Sequence, residues 1–484
     1  MTSETTRKKT TEKIVVVGIN HAGTSAIRTL LAQDPELEIN AYDRNSNISF
    51  LGCGIALAVG GTVKNPEDLF YCDQVQLDAL GAKVFMEHDV LAIDTQKKTI
   101  RVRDLKTGRE FQDSYDKLVY AAGSWPLDIP GVPPEKARLK NIMLCKLYQH
   151  AQELIKKADE PEISSVAVIG AGYIGIELAE AYRQKGKNVT LIDYETRVIP
   201  RYFDTEFTRL LEDDMRRAGI TLALGEKVID FAPSPQKPDH VGQVITDKGH
   251  YPADLVITAV GFRPNTDLLS EAEKTGNGAL IVDGAMKTSI PDVWAVGDSV
   301  AMYHAALDRH QQVALATNAV KSGIAAASSI NGIPGVTVES MAGTNAICVF
   351  ENNLASTGLS EAAARELGLP VASSYIEDAD RPEFMNDYGI TRIKLVYHEK
   401  TFRLLGAQIG SHGEINHTEV IYFLALAIQK KMALPEIAFT DVYFLPHFNK
   451  PFNFILTAIL KAIGLDYEAA AGKSLERRPS LEGK

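Results

Sequence analysis

Cysteine is scarce in this chain. Only 4 of its 484 residues are cysteines, Cys53, Cys72, Cys145 and Cys348, with no CxxC pair and no adjoining histidine cluster. That excludes a disulfide framework, argues against a metal centre and suits a reducing cytoplasm. Long apolar runs are missing too. The strongest, IYFLALAI at 421–428, is well short of the roughly 18 residues a membrane span needs. The first 13 residues are polar and charged, without the apolar core of a signal peptide. Basic charge is in deficit: 51 Lys and Arg stand against 62 Asp and Glu, a formal net charge of −11. Neither nucleic acid nor membrane is an expected partner, and the short RKK near the start does not change that. What remains is an ordinary globular composition, 45% hydrophobic and 23% charged, in a chain long enough for about three domains of about 150 residues each.

What is present begins with KIVVVGINHAGTSAIRTLLAQ. The β-branched run Ile14–Val17 ends at Gly18. A helical pattern follows, with Ala22, Ala26, Ile27, Leu30 and Leu31 on one face. EINAYDR then supplies a second strand ending at Asp43. Such a βαβ unit suits a dinucleotide. Gly18 permits the tight turn and Gly23 the close packing of helix on strand. The helix N-terminus faces a pyrophosphate, and Asp43 can accept from a ribose. Gly18 and Asp43 are 25 positions apart, near the expected ~20. The middle glycine of the fingerprint is lacking. Asn20 takes its place, and its tolerance of left-handed backbone lets the turn survive.

A second and more complete unit lies at SSVAVIGAGYIGIELAEAYRQKGKNVTLID, where Gly170, Gly172 and Gly175 keep full GxGxxG spacing between a strand and a helix. Asp193 closes the next strand and favours the free 2′-hydroxyl of NAD over a 2′-phosphate, a preference the nearby Arg197 could soften. Two dinucleotide folds in one chain suggest a flavin and a nicotinamide. KLVYAAGSWP (117–126) and DLVITAVGFRPN (254–265) read as the crossings between them. SIPDVWAVGDSV (289–300) places Asp298 after a strand, where it suits either a flavin ribityl hydroxyl or a plain Gly-Asp turn.

These segments, in this order, resemble the pyridine nucleotide–disulfide oxidoreductases over about residues 13 to 467. The resemblance implies an α/β chain with two Rossmann-like dinucleotide-binding domains, as in glutathione reductase, and a C-terminal α+β dimerisation domain. The expected division is a flexible tail at 1–12, the FAD domain at 13–128 and 262–338, the NAD domain at 129–261, the dimerisation domain at 339–467 and a tail at 468–484. Dithiol members carry CxxxxC after the first strand pair. Here ISFLGCGIAL holds Cys53 alone, which is similar to the single-cysteine branch of NADH oxidases, NADH peroxidases and CoA-disulfide reductases. DVYFLPHFNKPFN (441–453) looks most like the water-forming oxidases, with Pro446 followed by His447 where CoA-disulfide reductases carry tyrosine and Pro-Pro.

Carried over residue by residue, the resemblance implies Cys53 and His21 as catalytic groups. It implies Gly18, Asn20, Gly23, Asp43, Arg44, Val90, Ser124, Lys146 and Asp298 around FAD, with Ala314, Leu315 and Ala316 along the flavin ring and Phe444 reaching the site of the other subunit. NADH falls to Gly170, Gly172, Tyr173, Ile174, Gly175, Asp193, Tyr202 and Gly261, with Tyr173 as a cover over the flavin. The expected partners are O2, NADH and a second copy of the chain.

The chemistry explains why one thiol suffices. Flavin reduction of O2 stops at hydrogen peroxide by default. A thiolate can split the peroxide O–O bond and become sulfenic acid, and without a neighbouring thiol it stops there. An unperturbed cysteine is mostly protonated at neutral pH. The amides of a short helix after Cys53 are expected to favour its anion, with His21 supplying a proton. A peroxidase, a CoA-disulfide reductase or an NADH-sensing flavoprotein acting through a partner are the competing readings; a sensor has no need of a lone reactive thiol. From about residue 339 the pattern turns to antiparallel strands and a long helix, and the apolar tail YFLPHFNKPFNFILTAIL is too apolar to face water alone.

Overall fold

The computed structural model describes residues 12–133 and 135–465. The expected tails lie outside that range except for Glu12. The described chain divides into two compact units. The first holds both nucleotide folds. The second holds the described residues from 342 onward together with 197–218 and 305–308.

In the first unit the same architecture occurs twice. One five-stranded sheet runs, in spatial order, Val293–Ala295, Lys117–Tyr120, Lys13–Val17, Glu38–Asp43 and Ala82–Met86. Every pairing in it is parallel. The other runs Thr221–Leu224, Asn188–Asp193, Ser165–Ile169, Leu255–Thr258 and Ile142–Leu144, again all parallel. Such sheets are covered on both faces and read as unbroken apolar runs; Ile14, Val15 and Val16 are fully buried. Each sheet also has its own three-stranded antiparallel meander, His88–Asp94 to Glu110–Ser114 in the first fold and Val228–Pro233 to His250–Pro252 in the second. In both sheets the order turns back at the first strand of the fold, and the carboxyl edge of that strand is where ligands bind in such sheets.

The two crossings expected from sequence pair with each other. Ser124–Pro126 lies antiparallel to Phe262–Pro264, with Arg263 opposite Trp125. The helix His21–Gln33 packs on the helix Ala316–Ile330 so closely that a Cβ on Gly323 would overlap the Ala22 carbonyl.

The second unit is an antiparallel sheet in the order Asn345–Val349, Asn352–Gly358, Leu404–His412, Ile390–His398 and Val371–Ala379. The expected long helix is short, Ile421–Gln429, because the chain turns at Lys430–Lys431, where Lys431 is left-handed at φ 56°. The helix Thr205–Arg217, within the span expected for the NAD domain, belongs to this unit. Lys394, 4% exposed, holds it there. Its ammonium lies 2.7 Å from Glu206, 2.9 Å from Glu361 and 3.3 Å from Asp204.

Candidate active site

At the carboxyl edge of the first sheet lies a groove of about 870 Å³. Its floor is the turn after Lys13–Val17. Gly18 is left-handed at φ +93°, and a Cβ there would overlap the Ala121 carbonyl, so only glycine fits. Gly23 does not line the groove. It is the packing glycine, its hydrogen set against the Gly18 carbonyl. Asn20 is at φ −91°, which any residue adopts, so left-handed tolerance is not what fits it to the turn. Asn20 gives the helix no side-chain cap, and the first amides of the helix are left facing the groove for an anion.

Asp43 closes the cradle. Its Oδ2 accepts from the Ile19 amide at 2.7 Å and its Oδ1 from the Asn45 amide at 2.8 Å. Burial raises its pKa, and these amides oppose the shift. The second fold repeats the device. Gly170 is left-handed at φ +107° against the Ala259 carbonyl, Gly175 is set against Gly170, and the Asp193 carboxylate accepts from the Ala171 amide. A Cβ on Gly172 would meet nothing within 4 Å, so the backbone there stays open to a ligand. Tyr173 and Ile174 head the following helix, half-buried, and Gly261 sits in the turn after the neighbouring strand. Tyr202 belongs to the second unit and is 36% exposed. Arg197 Nη1 donates to the Phe203 carbonyl at 3.2 Å and to the Thr208 hydroxyl at 3.4 Å.

Gly18, Asn20, His21, Asp43, Arg44, Val90, Ser124, Lys146 and Asp298 all line the groove. Ala314, Leu315 and Ala316 do not. They lead into the helix Ala316–Ile330, and it is Ala319, one turn on, that reaches the groove. Phe444 is half exposed and lies in the second unit. Sequence reasoning missed Trp125, His88, Arg263, Asn265 and Asp267 on the groove wall. Arg263 and Asn265 lay inside a segment already quoted as a crossing, and only its pairing with Ser124–Pro126 turns them inward.

The polar centre of the groove is a relay. The strand Ile142–Leu144 delivers Lys146, whose ammonium donates to the Ser124 hydroxyl at 3.1 Å. Ser124 donates to Asp298 at 2.7 Å. Burial lowers the Lys146 pKa, and Asp298 resists that. His21 heads its helix beside the same pair. Burial lowers its pKa, Asp298 raises it and Lys146 lowers it further, so the protonated ring gives up its proton more readily than a free imidazolium.

Cys53 lies on a single tight turn, Gly52–Gly54, ahead of the helix Ile55–Gly60. A Cβ on Gly52 would stand 3.3 Å from the Lys146 carbonyl, so this turn abuts the groove wall. The local amide favours the thiolate as expected, but burial outweighs it and the net shift runs the other way. The Cys53 side chain reaches solvent, yet the protein packed around it raises the thiol pKa; its own backbone amide opposes this and Glu177 adds to it. Glu177 is itself pushed up to about 7, first by burial and then by Glu180.

The family profile described as "Pyridine nucleotide-disulphide oxidoreductase" matches residues 12–323, and its dimerisation domain matches 344–453. The NADH oxidase of Mycoplasma pneumoniae is 48% identical over 480 residues, 96% of this chain and 100% of that one. The NADH oxidase of Enterococcus faecalis is 43% identical over 446 residues, 92% of this chain and 97% of that one. Among solved structures, the water-forming NADH oxidase of Lactobacillus brevis bound to NADH superposes with a TM-score of 0.88 at 40% identity, over 96% of this chain and 100% of that one. By sequence and by fold, this chain belongs to the pyridine nucleotide–disulphide oxidoreductase family.

Proposed function

We propose that this chain is an FAD-dependent, water-forming NADH oxidase that catalyses 2 NADH + O2 + 2 H+ → 2 NAD+ + 2 H2O as a cytoplasmic homodimer. The observation that carries the reading is the single-thiol turn at Cys53 set against a dinucleotide groove that also holds His21 and the Lys146–Ser124–Asp298 relay.

The groove fits FAD. The uncapped helix at Asn20 offers amides to a pyrophosphate, Asp43 stands where a ribose is read, and Asp298 offers a carboxylate to the ribityl chain. Bound there, FAD supplies what no side chain has, accepting a hydride from NADH and passing electrons on to O2 or to an oxidised sulfur. Gly172, Asp193 and the open backbone between them suit NADH.

The protein's own part begins with peroxide. The Cys53 thiolate attacks the O–O bond, forming Cys–SOH and expelling hydroxide, which takes a proton from His21 and leaves as water. A second NADH provides the electron pair that returns Cys–SOH to thiolate and releases the second water. Homodimerisation rests on the matched dimerisation domain and on exposed apolar residues toward the chain's end, among them Phe439, Tyr443, Phe444 and Phe448. Sedimentation giving a fully active monomer would rule it out.

An oxygen electrode tests the activity. Water formation consumes about two NADH per O2 with no peroxide left over, since four electrons are needed. A ratio of 1:1 with peroxide accumulating defeats the proposal. NADH oxidation that starts only when peroxide is added would instead mark a peroxidase.

A further inference from the structure

Tyr71 lies outside the groove and outside any motif in the sequence. Its hydroxyl is 2.9 Å from His21 Nδ1. The two rings lie parallel, 4° apart in plane with centroids 5.5 Å apart. Its position is fixed from the other side by the Cys53 segment. The Leu51 amide donates to the Leu69 carbonyl at 2.9 Å, Phe50 bridges Phe70, and Leu69 packs where a Cβ on Gly54 would go. One residue on, the Cys72 amide donates to the Ser49 hydroxyl at 2.9 Å. The segment carrying Tyr71 is therefore zipped to the segment carrying Cys53, and its hydroxyl is bonded to His21.

We propose that Tyr71 is a positioning residue that commits His21 Nδ1, so that Nε2 is the nitrogen that gives a proton to the hydroxide expelled when Cys53 attacks peroxide. An imidazole has two distinct nitrogens, and the partner of one decides which is left to react. His21 lines the groove, and with Nδ1 held by Tyr71 the remaining nitrogen serves it. The stacked ring prevents the imidazole from flipping, and the pairing of 49–54 with 69–72 keeps the proton donor in register with the sulfur. No bond forms or breaks at Tyr71. Its role rests on the water-forming reading above.

The test uses the FAD-loaded enzyme. Tyr71→Phe keeps the ring and removes the hydroxyl. Under anaerobic conditions its turnover number for peroxide-driven NADH oxidation is expected to fall about tenfold, part of the factor an acid–base group supplies. Its KM for NADH and the rate of flavin bleaching by NADH should not change, and in air it should leak peroxide. The pH profile of peroxide turnover should shift, while that of flavin bleaching does not. In a His21→Gln background the same change should cost nothing, because the two residues act as one. A Tyr71→Phe enzyme with unaltered peroxide turnover, or an equal loss with and without His21, overturns the assignment alone. A wild type that itself releases peroxide in air and consumes none overturns the water-forming reading and this assignment together.

Discussion

Lys146 Nζ stands 3.8 Å from Asp298 Oδ2, and the Ser124 hydroxyl is shared between them. Charge, hydroxyl and countercharge face the groove as one unit. Asp298→Ala removes the acceptor and leaves the buried ammonium without its partner. A hydrogen bond to a charged group contributes about 1.5–3 kcal/mol, so FAD is expected to bind about 10- to 100-fold more weakly. Titration of the apoprotein with FAD, followed by flavin fluorescence, measures this; an unchanged Kd would show that Asp298 only closes a turn.

Cys53→Ser keeps the turn and removes the sulfur. The variant should bind FAD and oxidise NADH but release hydrogen peroxide, with NADH consumption per O2 falling from about two toward about one. A peroxide-specific dye assay decides it. Continued production of water alone would exclude sulfenic acid at Cys53.

Glu177→Gln addresses the thiol from a distance. An ionised Glu177 raises the Cys53 pKa, and Glu177 itself titrates at about 7. Below that pH the wild-type carboxyl is neutral, so the variant should match it. Above that pH only the wild type carries the opposing charge. The pH midpoint for alkylation of Cys53 by iodoacetamide should therefore move down in the variant, with the difference opening above neutrality. Equal profiles would mean the carboxylate does not act on the sulfur.

In the second unit, Lys394 is enclosed by three acids and is 4% exposed. Lys394→Ala takes the cation from Asp204 and Glu206 and leaves Glu361 with Arg365, and breaking a buried pair in this way costs about 3–5 kcal/mol. Chemical denaturation measures it. The same cluster predicts acid sensitivity. Burial alone would raise the Glu361 pKa, but its bonds from Lys394, Ser373 and Arg365 outweigh that and hold it at about 2, below its ordinary 4.5. A depressed carboxyl stabilises the fold above its unfolded pKa, and that contribution is lost as pH falls from 4.5 toward 2. Lys394→Ala should flatten this part of the stability curve.

Both nucleotide folds were legible because their signal is steric. A Cβ at Gly18, Gly23, Gly170 or Gly175 would overlap backbone, and a sequence must record such a demand. The strand Ile142–Leu144 left no comparable mark, being short and half-buried at a sheet edge, although Lys146 depends on it. Arg263 and Asp267 reach the groove through a pairing between segments distant in the chain, which no local pattern encodes. Tyr71 was invisible for the same reason. Its partner His21 lies 50 positions away, and nothing in DLFYC announces it. The electrostatics of Cys53 were misread because the local helix was visible in sequence while the burial around the side chain, and after it Glu177 on a helix of the other nucleotide fold, were not.

The aspartates that close the two βαβ units each grip an amide of their own glycine turn, Asp43 that of Ile19 and Asp193 that of Ala171. On the function proposed above, each does two jobs with one side chain, reading the ribose and bracing the loop that receives the phosphates. Coenzyme choice and scaffold order are consequently inherited together. A lineage or a designer seeking to admit a 2′-phosphate by deleting the Asp193 carboxylate would loosen the turn as well. Further changes nearby would have to restore its rigidity before the new preference could pass into turnover.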